Sequence, residues 1–324
     1  MEAILSQPPS RPRGDAQGPS ETQVILADGS PADLQGLTRE ELIRLQWEQE
    51  RAFASRILTA AAGSPARAEA TRHAYDAVTR IYAAAWGARG KPVVMGFDPR
   101  CGQLVLQLLG RQRAQGLPVR LLEIGYAGGV LLKRVHEAGF PAAGIEVSES
   151  MREAACRLVG PEAAKSLHRG EFLGFEFPAS QRPFSLAYWN DVLEHVPPDE
   201  APAYLRRIHE LLVPGGALVT VTPNWHVRPS DVTAAFCPPR TEAAGVHLKE
   251  YTLREMTRLL SAAGFCRIAT PWVVTPRRIV LWGNGLAALK RFAEPVLEWM
   301  PFAVARLICR GLGLSTTIAT KRPS

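Results

Sequence analysis

Val119-Arg-Leu-Leu-Glu-Ile-Gly-Tyr-Ala-Gly-Gly129 is the stretch on which the fold turns. An apolar run ends in an acid, glycines follow, and a helix-like pattern opens at Val130. A buried strand that feeds a glycine turn and then a helix N-terminus is how α/β proteins hold a nucleotide-like ligand. Glycine lets the main chain approach the ligand, and the helix offers free first-turn N–H groups.

Toward the C-terminus the pattern alternates. Leu131, Leu132, Val135 and Ala138 share one helical face, which Gly139 closes. Residues 142–147 read as a strand, 149–158 as a helix, 166–168 as a weak strand and 184–189 as an apolar strand. A helix over 199–212 is followed by the turn Pro214-Gly-Gly216 and a buried strand at 217–222. The capping box Thr252-x-x-Glu255 opens another helix, ended by Gly264. Residues 266–274 and 316–320 read as strands, interrupted by a helical insertion over 277–314. Such alternation predicts an α/β fold with a parallel sheet covered on both faces.

Toward the N-terminus, residues 1–37 are rich in Pro, Gly and Ser and read as a mostly disordered tail. Thr38-x-x-Glu41 is a second capping box, and Ser64-Pro65 places an N-cap before a first-turn proline. With a third helical segment over 101–115, these form an N-terminal helical extension, 38–116, before the main domain at 117–324. The extension either packs on the main domain or closes over a ligand as a lid.

The chain has 324 residues, 46% of them hydrophobic, enough for a sizeable core. Its net charge of +7 is spread without a block of like charges, which argues against a nucleic-acid partner. The five cysteines form no C-x-x-C pair, so neither a disulfide framework nor a metal centre is expected. With no signal peptide and no stretch of roughly 20 apolar residues, the chain reads as cytoplasmic.

Glu146, in Gly144-Ile-Glu-Val147, lies 21 positions beyond Gly125. In doubly wound folds an acid at about that spacing, one helix and two turns after the glycines, accepts hydrogen bonds from ribose hydroxyls. The long connector 223–247 contains Trp225, His226 and Phe236, and long loops at this sheet edge are often functional. The insertion carries Leu286, Leu289, Phe292, Val296, Trp299, Met300 and Phe302 beside Lys290, Arg291, Arg306 and Arg310. That stripe reads as core, as a pocket wall or as a membrane-surface contact.

These motifs together resemble the class I S-adenosylmethionine-dependent methyltransferases, in the broad group of small-molecule and quinone-type enzymes. Leu122-Glu-Ile-Gly-Tyr-Ala-Gly-Gly129, Gly144-Ile-Glu-Val-Ser148 and Arg169-Gly-Glu-Phe172 are similar to its first three motifs. Phe184-Ser-Leu-Ala-Tyr-Trp-Asn-Asp-Val-Leu-Glu-His-Val196 resembles its fourth-strand motif. Leu211-Leu-Val-Pro-Gly-Gly-Ala-Leu-Val219 and His247-Leu-Lys-Glu-Tyr-Thr252 resemble its later segments. The resemblance covers about residues 117–276 and the last strand.

It implies a Rossmann-like, doubly wound, seven-stranded, mostly parallel sheet with an antiparallel last strand. S-adenosyl-L-methionine is the implied cofactor and a small molecule the implied acceptor, methylated on O or N. By resemblance, Glu123 serves the cofactor amine, and Gly125, Tyr126, Ala127, Gly128 and Gly129 form the turn around its methionine part. Glu146 binds the ribose, Val147 lies beside the adenine, and Glu171 and Phe172 meet its edge and face. Asn190 and Asp191 stand between cofactor and acceptor. His195 and His247 are the candidate bases, with His226, Asp231 and Tyr251 as other options. Alanine replaces the family's central glycine at 127, at a cost of ~1 kcal/mol where φ is positive. A non-catalytic cofactor-binding scaffold and, less well matched, a nicotinamide dehydrogenase are the alternatives. The sequence fixes neither the acceptor nor an oligomeric state.

Overall fold

The computed structural model describes residues 22–87, 97–275, 278–281 and 285–323. A hairpin, β1 (Gln23–Ile25) and β2 (Pro31–Asp33), precedes two long helices, α1 (Arg39–Thr59) and α2 (Pro65–Trp86). The Thr38–Glu41 capping box is complete, and Ser64 caps α2 ahead of Pro65. Val24 and Leu34 of the hairpin are buried with Leu42, Phe53, Ile57, Ala74 and Ile81. The disordered reading therefore fails for residues 22–37. A few apolar residues, Val24, Ala27 and Leu34, are enough when a helix pair offers a core to enter.

The main body runs α3 (Pro99–Ala114), β3 (Leu121–Ile124), α4 (Val130–Glu137), β4 (Ala142–Glu146), α5 (Glu149–Val159), α6 (Pro161–Ala164), β5 (Leu167–Arg169) and β6 (Phe184–Asn190). It continues with α7 (Ala201–Leu211), β7 (Leu212–Val221), α8 (Leu253–Ala262) and β8 (Phe265–Ala269). A hairpin, β9 (Pro271–Thr275) and β10 (Arg278–Leu281), leads to α9 (Gly285–Ala293), a 3₁₀ segment (Glu294–Trp299) and α10 (Phe302–Leu312). β11 (Thr316–Lys321) ends the chain's regular structure among the described residues.

The seven-stranded sheet has the order β5-β4-β3-β6-β7-β11-β8, with β11 antiparallel to both neighbours. The central strands pair in parallel, Leu121 opposite Ala142 and Leu186. Period-two alternation sends Leu122, Ile124, Ala187 and Trp189 to one face, with α7 and α8. Leu121, Leu186 and Tyr188 go to the other, with Leu104, Leu109, Leu131 and Val135. This is the expected Rossmann-like sheet.

Three boundaries differ from the sequence reading. α3 belongs to the sheet's own core through Leu104, Val105 and Leu109, so the separate helical extension ends with α2. The insertion at 277–314 begins inside a β-hairpin rather than a helix, because β9 and β10 satisfy each other's backbone groups. Pro214 and the two following glycines lie within β7, which takes up the turn as an irregularity in its pairing with β6. The insertion has its own small core of Leu253, Leu297, Ala305, Cys309 and Leu314.

Candidate functional site

Parallel strands carry their chain reversals at one edge, and a ligand cavity forms where neighbouring strands diverge in their connections. A cavity of about 770 Å³ lies at the ends of β3, β4 and β6, lined by Gly125, Ala127, Glu146, Val147, Asn190 and Asp191. Two turn positions show why small residues stand here. A Cβ on Gly125, at φ +67°, would come 2.5 Å from Val192, and one on Gly129, at φ +74°, would come 2.8 Å from Ala155. Ala127 adopts φ +45°, a left-handed conformation that alanine holds under strain. Asp191, at φ +53°, is strained in the same way.

Glu146 fixes the turn. Its carboxylate accepts from the main-chain N–H of Ala127 (3.0 Å), Val147 (2.8 Å) and Ser148 (3.0 Å). A carboxylate offers about four acceptor directions, so one remains for a ligand hydroxyl. Burial raises its pKa against the pull of those N–H groups.

The opposite wall comes from the N-terminal helices: Ile43, Gln46, Glu50 and Ile57 of α1, and Ala74, Tyr75, Val78, Thr79, Tyr82 and Trp86 of α2. Polar ties hold them there. Arg67 pairs with Asp199 (2.8 Å) and Glu200 (2.9 Å), Ser148 Oγ donates to Asp76 (3.0 Å), and Val246 N–H donates to Glu50 (3.2 Å). Asp231, Val232, Ala234, Ala235 and His247 of the connector complete the cavity. Although the chain is basic, Glu50, Glu146, Asp191 and Asp231 all face this space. Burial raises the pKa of Glu50, Glu146 and Asp191 and so weakens the negative field there.

His195 and His247 stack edge to face, 4.7 Å between ring centres, and both line the cavity. His195 Nδ1 lies 2.9 Å from Val246 O, so Nδ1 carries the proton and Nε2 keeps its lone pair. Burial, with the charge of His247, pushes the His195 pKa down to about 3. For His247 burial acts the same way, but the hydrogen bond to Glu250 and the fields of Glu194 and Asp231 outweigh it and raise the pKa to about 9. His247 Nδ1 sits 3.4 Å from Glu250 and 3.2 Å from Ser230 Oγ. His247 therefore holds its proton tightly. Beneath the pair, Glu194 is fully buried; one oxygen accepts from Thr222 (3.0 Å) and Oε1 has no partner. One ligand atom each of Glu194, His195 and His247 lies within 4.8 Å of the others.

A family model described as a methyltransferase domain matches residues 95–269. The chain belongs to that methyltransferase family. The dehydrogenase alternative is thereby set aside. Ubiquinone biosynthesis O-methyltransferase of Caulobacter sp. (strain K31) is 30% identical over 115 residues, 36% of this chain and 44% of that protein. The chain thus matches less than half the length of this curated relative. Among solved structures, phosphoethanolamine N-methyltransferase 2 of Haemonchus contortus, in complex with S-adenosyl-L-methionine, has a TM-score of 0.42 and 16% identity, covering 69% of this chain and 52% of that one. Magnesium protoporphyrin IX methyltransferase of Synechocystis PCC 6803, with bound S-adenosylhomocysteine, has a TM-score of 0.44 and 17% identity, covering 64% and 94%.

Within the methyltransferase domain, the structure brings Gly125, Ala127, Glu146, Val147, Asn190, Asp191, His195 and His247 to one cavity. Other expected site residues stand behind it. Phe172 is buried in the core, 5.6 Å from the Tyr204 ring. Glu171 pairs with Arg72 of α2 at 3.3 Å. Tyr126 is buried and its hydroxyl donates to His168 O (3.0 Å), so it braces the turn from below. Glu123 is also buried, its pKa raised well above normal by burial and by Glu146, and it does not line the cavity. Gly128 and Gly129 shape the turn without facing the space. Of the other candidate bases, His226 is held by Glu298 (2.8 Å) and Tyr251 is buried in the core, while Asp231 faces the cavity. Residues 1–21 lie outside the described residues.

Gln46, Glu50, Tyr75 and Glu194 were not picked out from the sequence. For the first two a signal existed: they lie four apart on the same α1 face as Leu42, Phe53 and Ile57. Polar residues on an apolar stripe mark a lined cavity more often than a surface.

Proposed function

We propose that the protein transfers a methyl group from S-adenosyl-L-methionine to the oxygen of an apolar, weakly acidic small molecule such as a phenol or enol. The observation that carries this is Glu146, which holds the glycine turn through three main-chain N–H groups and faces an acid-lined cavity. The ribose would meet Glu146, and the cationic methionine end would lie along Gly125 and Ala127 toward Asp191. Family membership supports the same cofactor.

Methyl transfer is an in-line displacement. The acceptor oxygen forms a bond to the methyl carbon, and the sulfonium takes the breaking pair and leaves neutral. Alignment supplies most of the rate. His195 is a weak base and His247 already holds its proton. The site is therefore suited to an acceptor that enters as its anion, paired with the His247 imidazolium. His195 Nε2 would orient a neutral acceptor by hydrogen bonding. The apolar wall of Ile43, Ile57, Val78, Tyr82 and Trp86 would hold the acceptor's body, and α1 and α2 would act as the cover.

The test is transfer of labelled methyl from S-adenosyl-L-methionine to a panel of phenols, enols and amines, at varied pH. Phenols and enols should be labelled. Labelling of amines alone would overturn the acceptor class, and cofactor binding without any transfer would favour a scaffold.

A further inference from the structure

The insertion after β10 is amphipathic in a way that its small core does not use. Leu289 (62% exposed), Phe292 (80%), Val296 (51%) and Trp299 (90%) follow at steps of three and four along α9 and the 3₁₀ segment. On α10, which packs against that segment, Val304 (44%) and Leu307 (72%) are also exposed. A soluble surface seldom carries so many large apolar side chains on one short unit.

The charges sort by sign. The acids of residues 285–312 are Glu294 and Glu298. Glu294 is buried and accepts from Asn224 Nδ2 (2.6 Å) and Leu253 N–H (2.7 Å). Glu298 binds Arg228 (2.9 Å) and His226 (2.8 Å). Both acids are thus turned into the protein. Arg306 and Arg310 of α10 are exposed, as are Arg254 and Arg258 on α8, which touches the insertion through the Arg291–Thr257 contact (3.3 Å). Among the described residues 286–312 the exposed side chains are apolar or positive.

We propose that α9 and α10 dock on an anionic phospholipid surface, with Phe292, Trp299 and Leu307 inserted among the acyl chains and the arginines at the headgroups. Interfacial helices combine these two features: aromatic and leucine side chains on one side, and Lys or Arg at the polar boundary. Among the described residues no helix is long and apolar enough to cross a membrane, so the contact lies in the interface. The inward pairs of Glu294 and Glu298 fix the unit to the connector that follows β7, the segment that also lines the cavity.

The experiment is vesicle flotation of the full chain, with phosphatidylcholine vesicles and with vesicles that also contain phosphatidylglycerol. The protein should float with the anionic vesicles, and added salt should weaken this. The double variant F292S/W299S, at two exposed positions, should melt like the wild type and lose roughly tenfold or more of its vesicle partition. R306E/R310E should lose binding to anionic vesicles in particular. No flotation of the wild type would overturn the proposal. So would vesicle binding that survives both double variants, or a dimer in sedimentation that F292S/W299S abolishes, since the face would then belong to a second copy.

Discussion

Glu50→Gln isolates the electrostatic cost of the acid-lined cavity. Glu50 is buried on α1, accepting from Gln46 Nε2 (2.7 Å) and Val246 N–H (3.2 Å). Burial raises its pKa from 4.5 to about 7, with a further push from Asp231, against those hydrogen bonds. The sign follows from linkage. A folded-state pKa above the unfolded one means that the native state binds its proton more tightly. Stability from this group is fullest below pH 4.5 and declines as pH rises toward about 7. A shift of that size corresponds to about 3 kcal/mol. Glutamine does not titrate, and its amide keeps both partners if Gln46 turns its oxygen inward. Urea unfolding of wild type and variant should therefore agree near about pH 5, with the variant more stable by up to about 3 kcal/mol near about pH 8. Parallel stability curves across that range would refute the reasoning.

Three further outcomes are expected. Ala127→Gly should relieve the strain at φ +45°, raising stability by about 1 kcal/mol and leaving S-adenosyl-L-methionine affinity equal or better; a large loss of affinity, read by calorimetry, would mean that the turn does not carry the cofactor. Because the His247 pKa is raised to about 9, its charge is fully present below 6.5 and lost as pH rises through about 9; kcat/KM with a phenolic acceptor should fall over that upper limb, and His247→Gln should remove the limb along with most of the activity. Deleting residues through 87 removes the wall formed by α1 and α2; labelled-methyl turnover should collapse while the sheet's far-ultraviolet signature persists, and full turnover would reduce those helices to packing.

Much of the fold was legible because its signals are local and redundant. The strand–glycine–helix unit at 119–138, the acid at 146 and the two capping boxes each repeat a period or a cap that backbone geometry demands. Features that depend on distant partners were not legible. The β1–β2 hairpin has only a short apolar run, residues 24–27, and is ordered by packing of Val24, Ala27 and Leu34 with α1 and α2. The β9–β10 hairpin reads from sequence as one strand running into a helix, because its turn has no glycine. In the site, Gly125 and Glu146 follow from spacing, whereas Phe172 and Glu171 depend on which side of a short loop faces inward. The cluster around Glu194 is set by burial, since only the folded chain encloses this acid beside His195. The charge state of His247 comes from Glu250, Glu194 and Asp231, which only the folded connector brings near.

The central claim, that the cavity beside Glu146 is the cofactor site, is tested most directly by calorimetry with S-adenosylhomocysteine on wild type and Glu146→Ala. The account predicts one bound equivalent in the wild type and an affinity lower by roughly 1.5–3 kcal/mol in the variant, from the lost charge-assisted hydrogen bonds. NADH should not compete. Unchanged affinity in a folded Glu146→Ala protein, or no binding by the wild type, would contradict it.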